Sequence, residues 1–175
     1  MSLSTWLAPR KATFVSIAVG TASFPLALWI AWRAWPAVTP IASAGDRVAF
    51  AAELLVAVAV LVLLIVSRLF RTFDTEKAED PFANAESHRW RVNQRVLQNT
   101  VEQAMIFVPA LLALAARVPP DQVRVLPVLT LLWCTGRVLF WLGYRIKPVL
   151  RGPGFEWTLY SSMVALGWFA WAALR

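Results

Sequence analysis

Charge is scarce in this sequence. Only 15% of its 175 residues are Asp, Glu, Lys or Arg, against about a quarter in ordinary soluble domains. A single domain, which is what this length implies, cannot cover a water-facing surface with so few charges. Cysteine is scarcer still: Cys134 stands alone, so no intrachain disulfide can form and a disulfide scaffold is excluded. One histidine, His88, leaves no His-rich metal site, and no metal is expected. Nor does the chain offer a credible Ser-His-Asp or Cys-His arrangement, an internal repeat or a low-complexity tract. What it has in excess is apolar: 59% of residues are hydrophobic and the mean hydropathy is +0.59. That excludes a disordered chain and makes a lipid bilayer the expected environment. The net charge of +7 comes from basic residues scattered between apolar runs. Such scatter fits membrane orientation and argues against nucleic acid as a partner.

A helix needs about 20 mostly apolar residues to cross a bilayer, and five runs meet that length: 13–32, 48–67, 96–116, 125–144 and 155–174. The first is uncharged, and the others carry only Glu53, Glu102, Arg137 and Glu156 respectively, the last at the first turn of its run. Apolar residues run continuously and do not alternate, so the expectation is five transmembrane α-helices and not a barrel. The first run is too long for the core of a signal peptide and lacks a small-residue cleavage site before Arg33, so a mature helix is expected there. Between the runs lie a Pro-rich connector (34–46), a charged one (70–91) whose acidic stretch reads as a solvated face, one with Pro119 and Pro120, and one with Pro148 and Gly152-Pro153-Gly154. With the N-terminus inside, the inner segments hold eleven Lys and Arg and the outer ones five, Arg137 left aside. This predicts a cytoplasmic N-terminus.

The polar residues within the runs carry the functional signal. Arg91, Arg95, Asn99 and Glu102 follow spacings of four, four and three and share one helical face, with Gln98 beside it. In the next run Arg137, Tyr144, Lys147 and Arg151 lie near one face, with Phe140 between. A charge at a helix centre costs about 2.5–3.5 kcal/mol even on the lenient insertion scale, so two such stripes need a shared partner, a hydrated cavity or a ligand. At 1.5 Å per residue Glu102 lies about 16 Å from Arg91 and Arg137 about 15 Å from Lys147. That places Glu102 and Arg137 at one depth, able to pair. The remaining donors outnumber what Glu102 can use and suit an anionic ligand bearing carboxylates. Cys134 reads as a packing residue; Trp141 and Trp157 are candidates to border an apolar acceptor site.

The stretch Arg95-Val-Leu-Gln-Asn99-Thr-Val-Glu102 resembles the Arg-x3-Asn-x2-Glu signature of the MAPEG family, the membrane-associated proteins in eicosanoid and glutathione metabolism. The stretch from Arg137 through Phe140 and Gly143 to Tyr144, with Arg151 seven residues on, resembles that family's second signature. The resemblance covers about residues 65–175. It implies an all-α integral membrane four-helix bundle, a homotrimer, and glutathione bound between neighbouring subunits near the cytosolic face. The family unit would be residues 47–175, and residues 1–46 an additional transmembrane helix and linker. By motif position, Arg95, Asn99 and Glu102 would hold glutathione, Arg95 at a carboxylate and Glu102 at the α-amino group, with Tyr144 orienting the peptide and Arg91 and Gln98 assisting. Arg151 matches the arginine that stabilises the thiolate in members of the family, the catalytic role. A free thiol has a pKa of about 8.5 and is only a few per cent ionised at pH 7; a nearby guanidinium lowers it. Two positions depart from the pattern: Gln103 and Phe140 stand where tyrosines are found, and each loses a phenolic donor.

The function this implies is a membrane-bound, glutathione-dependent transferase or peroxidase acting on lipophilic electrophiles or lipid hydroperoxides. The alternative is a non-enzymatic protein that keeps the fold and binds a lipid headgroup or other anion. The high Ala and Arg content suggests a bacterial inner membrane.

Overall fold

A computed structural model describes residues 3–73 and 87–174, and the side chains of 11–69 and 87–174. The acidic connector, with Lys77, and the side chains of Arg10 and Arg71 lie outside the described residues. Five α-helices follow one another: α1 (Leu3–Ala34), α2 (Ala44–Phe73), α3 (His88–Arg117), α4 (Val125–Ile146) and α5 (Gly152–Ala173), with short 3₁₀ turns at Pro120–Gln122 and Pro148–Arg151. No strand occurs among the described residues. Each expected run is a helix, and most helices extend beyond the apolar stretch. The extension at the start of α3 has a local cause. Ser87 is extended and its Oγ accepts the Trp90 N–H at 3.1 Å, an N-cap that starts α3 eight residues before its apolar run. Arg91 and Arg95 are therefore helical, one and two turns in, and His88 is the first helical residue and not a loop residue.

Among the described residues α1, α2, α3 and α4 are long and apolar enough to cross a membrane. Helix α5 has 22 residues, about 33 Å at 1.5 Å per residue, but Trp, Tyr, Ser, Thr and Glu156 dilute its hydropathy. Its polar residues explain this by where they point: Glu156, Thr158, Ser161 and Ser162 are buried in the bundle. The outward surface is apolar, as lipid requires, with Phe14, Val56, Leu63 and Met105 exposed by more than half.

Helices α4 and α5 pack most extensively, and α5 also lies against α1 and α3, while α2 packs on α3. Glycine permits the α4–α5 approach. A Cβ on Gly154 would sit 2.2 Å from the Phe140 backbone nitrogen and 2.5 Å from the Gly136 carbonyl oxygen. One on Gly143 would sit 2.4 Å from the Leu150 carbonyl oxygen. Small residues that let backbones meet are the usual cement of membrane helices. Helix α1 is fastened to α5 through side chains. Phe24 is buried against Trp157 and Tyr160, Trp157 Nε1 donates to Ser23 Oγ at 2.9 Å, and the Thr21 and Tyr160 hydroxyls lie 2.9 Å apart.

The end of the bundle opposite the two polar stripes is closed by arginines. Buried Arg47 donates to the carbonyls of Ile41 (3.0 Å), Ala42 (2.6 Å), Ala115 (3.0 Å) and Ala116 (3.3 Å), satisfying oxygens that the end of α3 leaves open. Arg124 donates to the Trp35 carbonyl and lies over the Trp32 ring. Glu53 is exposed and has no part in this clamp.

Candidate functional site

A cavity of about 740 Å³ opens at the other end, within the size range of small-molecule sites. Four segments wall it: the N-terminal part of α1 (Ala12, Thr13, Ser16, Ile17), the first half of α3 (Arg95, Gln98, Asn99, Glu102), the end of α4 (Phe140, Tyr144), and the turn leading into α5 (Pro148, Val149, Arg151, Gly152, Phe155, Glu156). The spacing that placed Arg95, Asn99 and Glu102 on one face of α3 thus delivers them to one cavity, with Tyr144 and Arg151 arriving from α4 and the turn after it. Arg95, Gln98, Glu102 and Arg151 are exposed at the rim, whereas Phe140 and Glu156 are buried at the floor. Arg91 and Lys147 are exposed and do not line the cavity. Gln103 is buried and turned away from it, its Oε1 without a hydrogen-bond partner. The loss of a phenol at that position therefore leaves the cavity wall itself untouched; at Phe140 it does not.

Depth alone suggested an ion pair between Glu102 and Arg137. The structure separates them. Arg137 is fully buried and donates from Nη1 to Asn99 Oδ1 at 2.8 Å and from Nη2 to Thr158 Oγ1. Glu102 is engaged along its own helix, accepting from Gln98 Nε2 at 3.1 Å. Equal depth is not equal direction: Arg137 points inward between α3 and α5, while Glu102 is exposed at the cavity. Arg137 is not a free binding group but a strut, and what it holds is Asn99, which lines the cavity.

Aromatic rings link this strut to the cavity rim. The Arg137 guanidinium lies 4.5 Å from the Phe140 ring centre and 5.9 Å from that of Trp133. Phe140 and Tyr144, four residues apart on α4, have ring centres 5.8 Å apart. Arg151 sits 4.8 Å over the Tyr144 ring. Such cation–π contacts contribute about 0.5–2 kcal/mol each, and they fix Arg151 and Tyr144 relative to one another without a carboxylate. Trp141 and Trp157 do not border the cavity; Trp141 Nε1 donates to buried Asn93 at 3.1 Å, and Trp157 is tied to α1. Cys134 packs at the edge of the main apolar core.

Two features escaped the reading of the sequence. Glu156 lines the cavity floor and is only 7% exposed. With α5 starting at Gly152, Glu156 lies beyond the first turn and faces inward. Helix α1 supplies a whole wall. Nothing in the sequence announced either: the inward stripe Gly154, Thr158, Ser161, Ala165 runs along the face of α5 turned to α4, and Glu156 lies on the opposite side, against Gly20 of α1.

The cavity thus offers two guanidinium groups, two carboxylates, two carboxamides and a phenol within apolar walls. It can bind a flexible ligand that carries both carboxylates and an ammonium group. A family model described as the MAPEG family matches residues 48–174. The chain is also similar to Transmembrane protein 79 of Mus musculus, 28% identical over 89 residues, which are 51% of this chain and 22% of that protein. It therefore spans little more than a fifth of the length of that curated relative. No solved structure matches the chain.

Proposed function

The chain belongs to the MAPEG family, and from that premise we propose that its cavity binds glutathione and that the protein is a membrane-bound transferase or peroxidase. The acceptors are lipophilic electrophiles or lipid hydroperoxides that partition into the bilayer. Membership makes it a multi-pass membrane protein of the glutathione and eicosanoid metabolism family. The specific activity is our inference. The observation that carries it is the convergence of Arg95, Asn99, Glu102, Tyr144 and Arg151 on one cavity.

The donor set fits the tripeptide. Glutathione has two carboxylates, one ammonium group and a thiol, and the cavity supplies Arg95 for a carboxylate, carboxylates for the ammonium group, the side chains of Asn99, Gln98 and Tyr144 for its amides, and Arg151 for the thiol. Bidentate pairing with guanidinium is the strong form of carboxylate recognition. When bound, glutathione supplies the nucleophilic sulfur, so the chain needs no Ser, Cys or His of its own. Arg151 at the rim, held over Tyr144, is the group placed to favour loss of the thiol proton; each pKa unit it contributes corresponds to about 1.4 kcal/mol.

The same reading treats residues 47–175 as the family unit and residues 1–46 as an added helix and linker. It places the protein in a bacterial inner membrane as a homotrimer with a cytoplasmic N-terminus, supported by the family resemblance and by the eleven-to-five asymmetry of Lys and Arg.

Calorimetry of glutathione binding to the purified protein in detergent tests the reading. Saturable binding is expected, weakened about tenfold or more in Arg95→Ala, the loss of one charged contact. No binding at millimolar glutathione would sink it. Glutathione-dependent turnover of a lipophilic electrophile then separates an enzyme from a protein that keeps the fold and only binds.

A further inference from the structure

Glu156 is the least explained group in the bundle. It is only 7% exposed, on a helix packed against α1, α3 and α4. Among the described residues no hydrogen bond or ion pair reaches it, and its oxygens are not sealed from the cavity. An unpaired carboxylate in such a place is costly, because it has given up water and gained no partner. Ionisable residues kept inside a membrane bundle face a cavity and mark what passes through or binds there.

The neighbouring helix fixes its position. Gly20 of α1 lies over the stem of Glu156; a Cβ there would be 2.8 Å from both Cβ and Cγ of Glu156 and 2.9 Å from the Pro153 Cα. One turn earlier, Ser16 Oγ donates to the Val149 carbonyl at 2.6 Å. Helix α1 thus presses the aliphatic part of Glu156 into the bundle and leaves the carboxylate the cavity as its outlet. Glu102 differs on each count: it is exposed, and Gln98 already donates to it.

We propose that Glu156, held by α1, is an ammonium subsite at the floor of the cavity, so that ligands of this protein carry a primary amine that reaches past the rim to it. Applied to glutathione, this rests on the reading given above and assigns the α-amino group to Glu156 and not to Glu102. The added helix then has a chemical role: it completes the subsite from within the same chain.

Two ligand pairs test this with the full-length protein by calorimetry, against empty micelles. The first is glutathione and its des-amino analogue; the second is n-hexylamine and n-hexanol. In the wild type the amine of each pair is expected to bind at least about tenfold more tightly. Glu156→Gln should erase that difference while leaving the des-amino analogue and hexanol unchanged, and Glu156→Asp, which keeps the charge on a shorter stem, should retain part of it. Glu102→Gln should preserve the preference. Wild-type protein that binds amine and amine-free partner equally would overturn the proposal with no variant needed, as would a preference that survives in Glu156→Gln. Glutathione binding without any effect of Glu156→Gln refutes the subsite and leaves the glutathione reading intact. Hexylamine binding that depends on Glu156, with no binding of either tripeptide, supports the subsite and refutes that reading.

Discussion

Replacing Gly154 with alanine is expected to lower the apparent melting temperature in detergent by about 6–12 °C. The added methyl group has nowhere to go. Its Cβ would lie 2.2 Å from the Phe140 nitrogen, 2.5 Å from the Gly136 oxygen and 2.7 Å from the Phe140 Cα. All three are backbone atoms of α4, so no side-chain rotation relieves the overlap and the helices must part. Overpacking of this kind costs typically 1–3 kcal/mol, occasionally more, and the upper end applies where only backbone can yield. For a chain of this length each kcal/mol moves the midpoint by about 2–4 °C. Gly167→Ala is the internal control. It lies on the same helix, but nothing is within 4 Å of its Cβ position, and alanine in a helix interior is favoured over glycine by about 0.5–1 kcal/mol. A circular-dichroism melt should show Gly167→Ala at or above the wild type and Gly154→Ala well below it. Equal melts would mean that the α4–α5 contact is looser than described.

Separating these two helices would also dismantle the cavity floor, because Glu156 follows Gly154 on α5 while Phe140 opposes it on α4. That coupling shows why some features were legible in one dimension and others were not. Helix count and the α3 face were legible, because apolar length and the spacing of Arg95, Asn99 and Glu102 are one-dimensional patterns that the 3.6-residue period converts directly into geometry. The single face expected for Arg137, Tyr144, Lys147 and Arg151 does not exist, because α4 ends at Ile146 and Arg151 lies beyond it in a 3₁₀ turn; the cavity-lining place of Arg151 was legible through motif likeness and not through spacing. The partner of Arg137 was not legible. Depth along a helix can be counted, but rotation toward α3 and α5 depends on the close approach of α4 and α5, which is set by glycines whose packing partners lie on other segments. Thr158 carried no charge to draw notice. Glu156 looked terminal because its apolar run begins only at Phe155, whereas the helix begins at Gly152.

Arg137→Met is expected to raise the melting temperature by a few degrees while weakening ligand binding about tenfold. The two effects have one origin. Arg137 is a fully buried guanidinium whose hydrogen-bond partners are neutral, Asn99 Oδ1 and Thr158 Oγ1, and its Nε has none. Methionine fills a similar volume and removes the burden of a charge within the bilayer. Replacing even a buried ion pair by well-packed apolar groups is often neutral or stabilising by 1–4 kcal/mol, and a lone guanidinium with neutral partners has less Coulombic attraction to lose. Little is orphaned in exchange: Thr158 keeps its own bond to the Gly154 carbonyl at 2.6 Å, and Asn99 faces a cavity that can admit water. What is lost is the strut. Asn99 no longer has a donor fixing its amide, and Phe140 no longer has a cation over its ring, so the wall that Asn99 and Tyr144 form becomes free to rearrange. An order of magnitude in affinity, about 1.4 kcal/mol, is what one misoriented polar contact is worth. Arg137→Ala separates charge from volume, since it leaves a cavity as well and should fall below the wild type in stability. Arg137→Met protein that melts lower than the wild type would show the guanidinium to be a structural requirement. One that melts higher and binds glutathione unchanged would remove Asn99 from the site. The expected combination, more stable and less able to bind, would mark Arg137 as a charge kept in the membrane at a cost to stability because it holds the cavity wall in place.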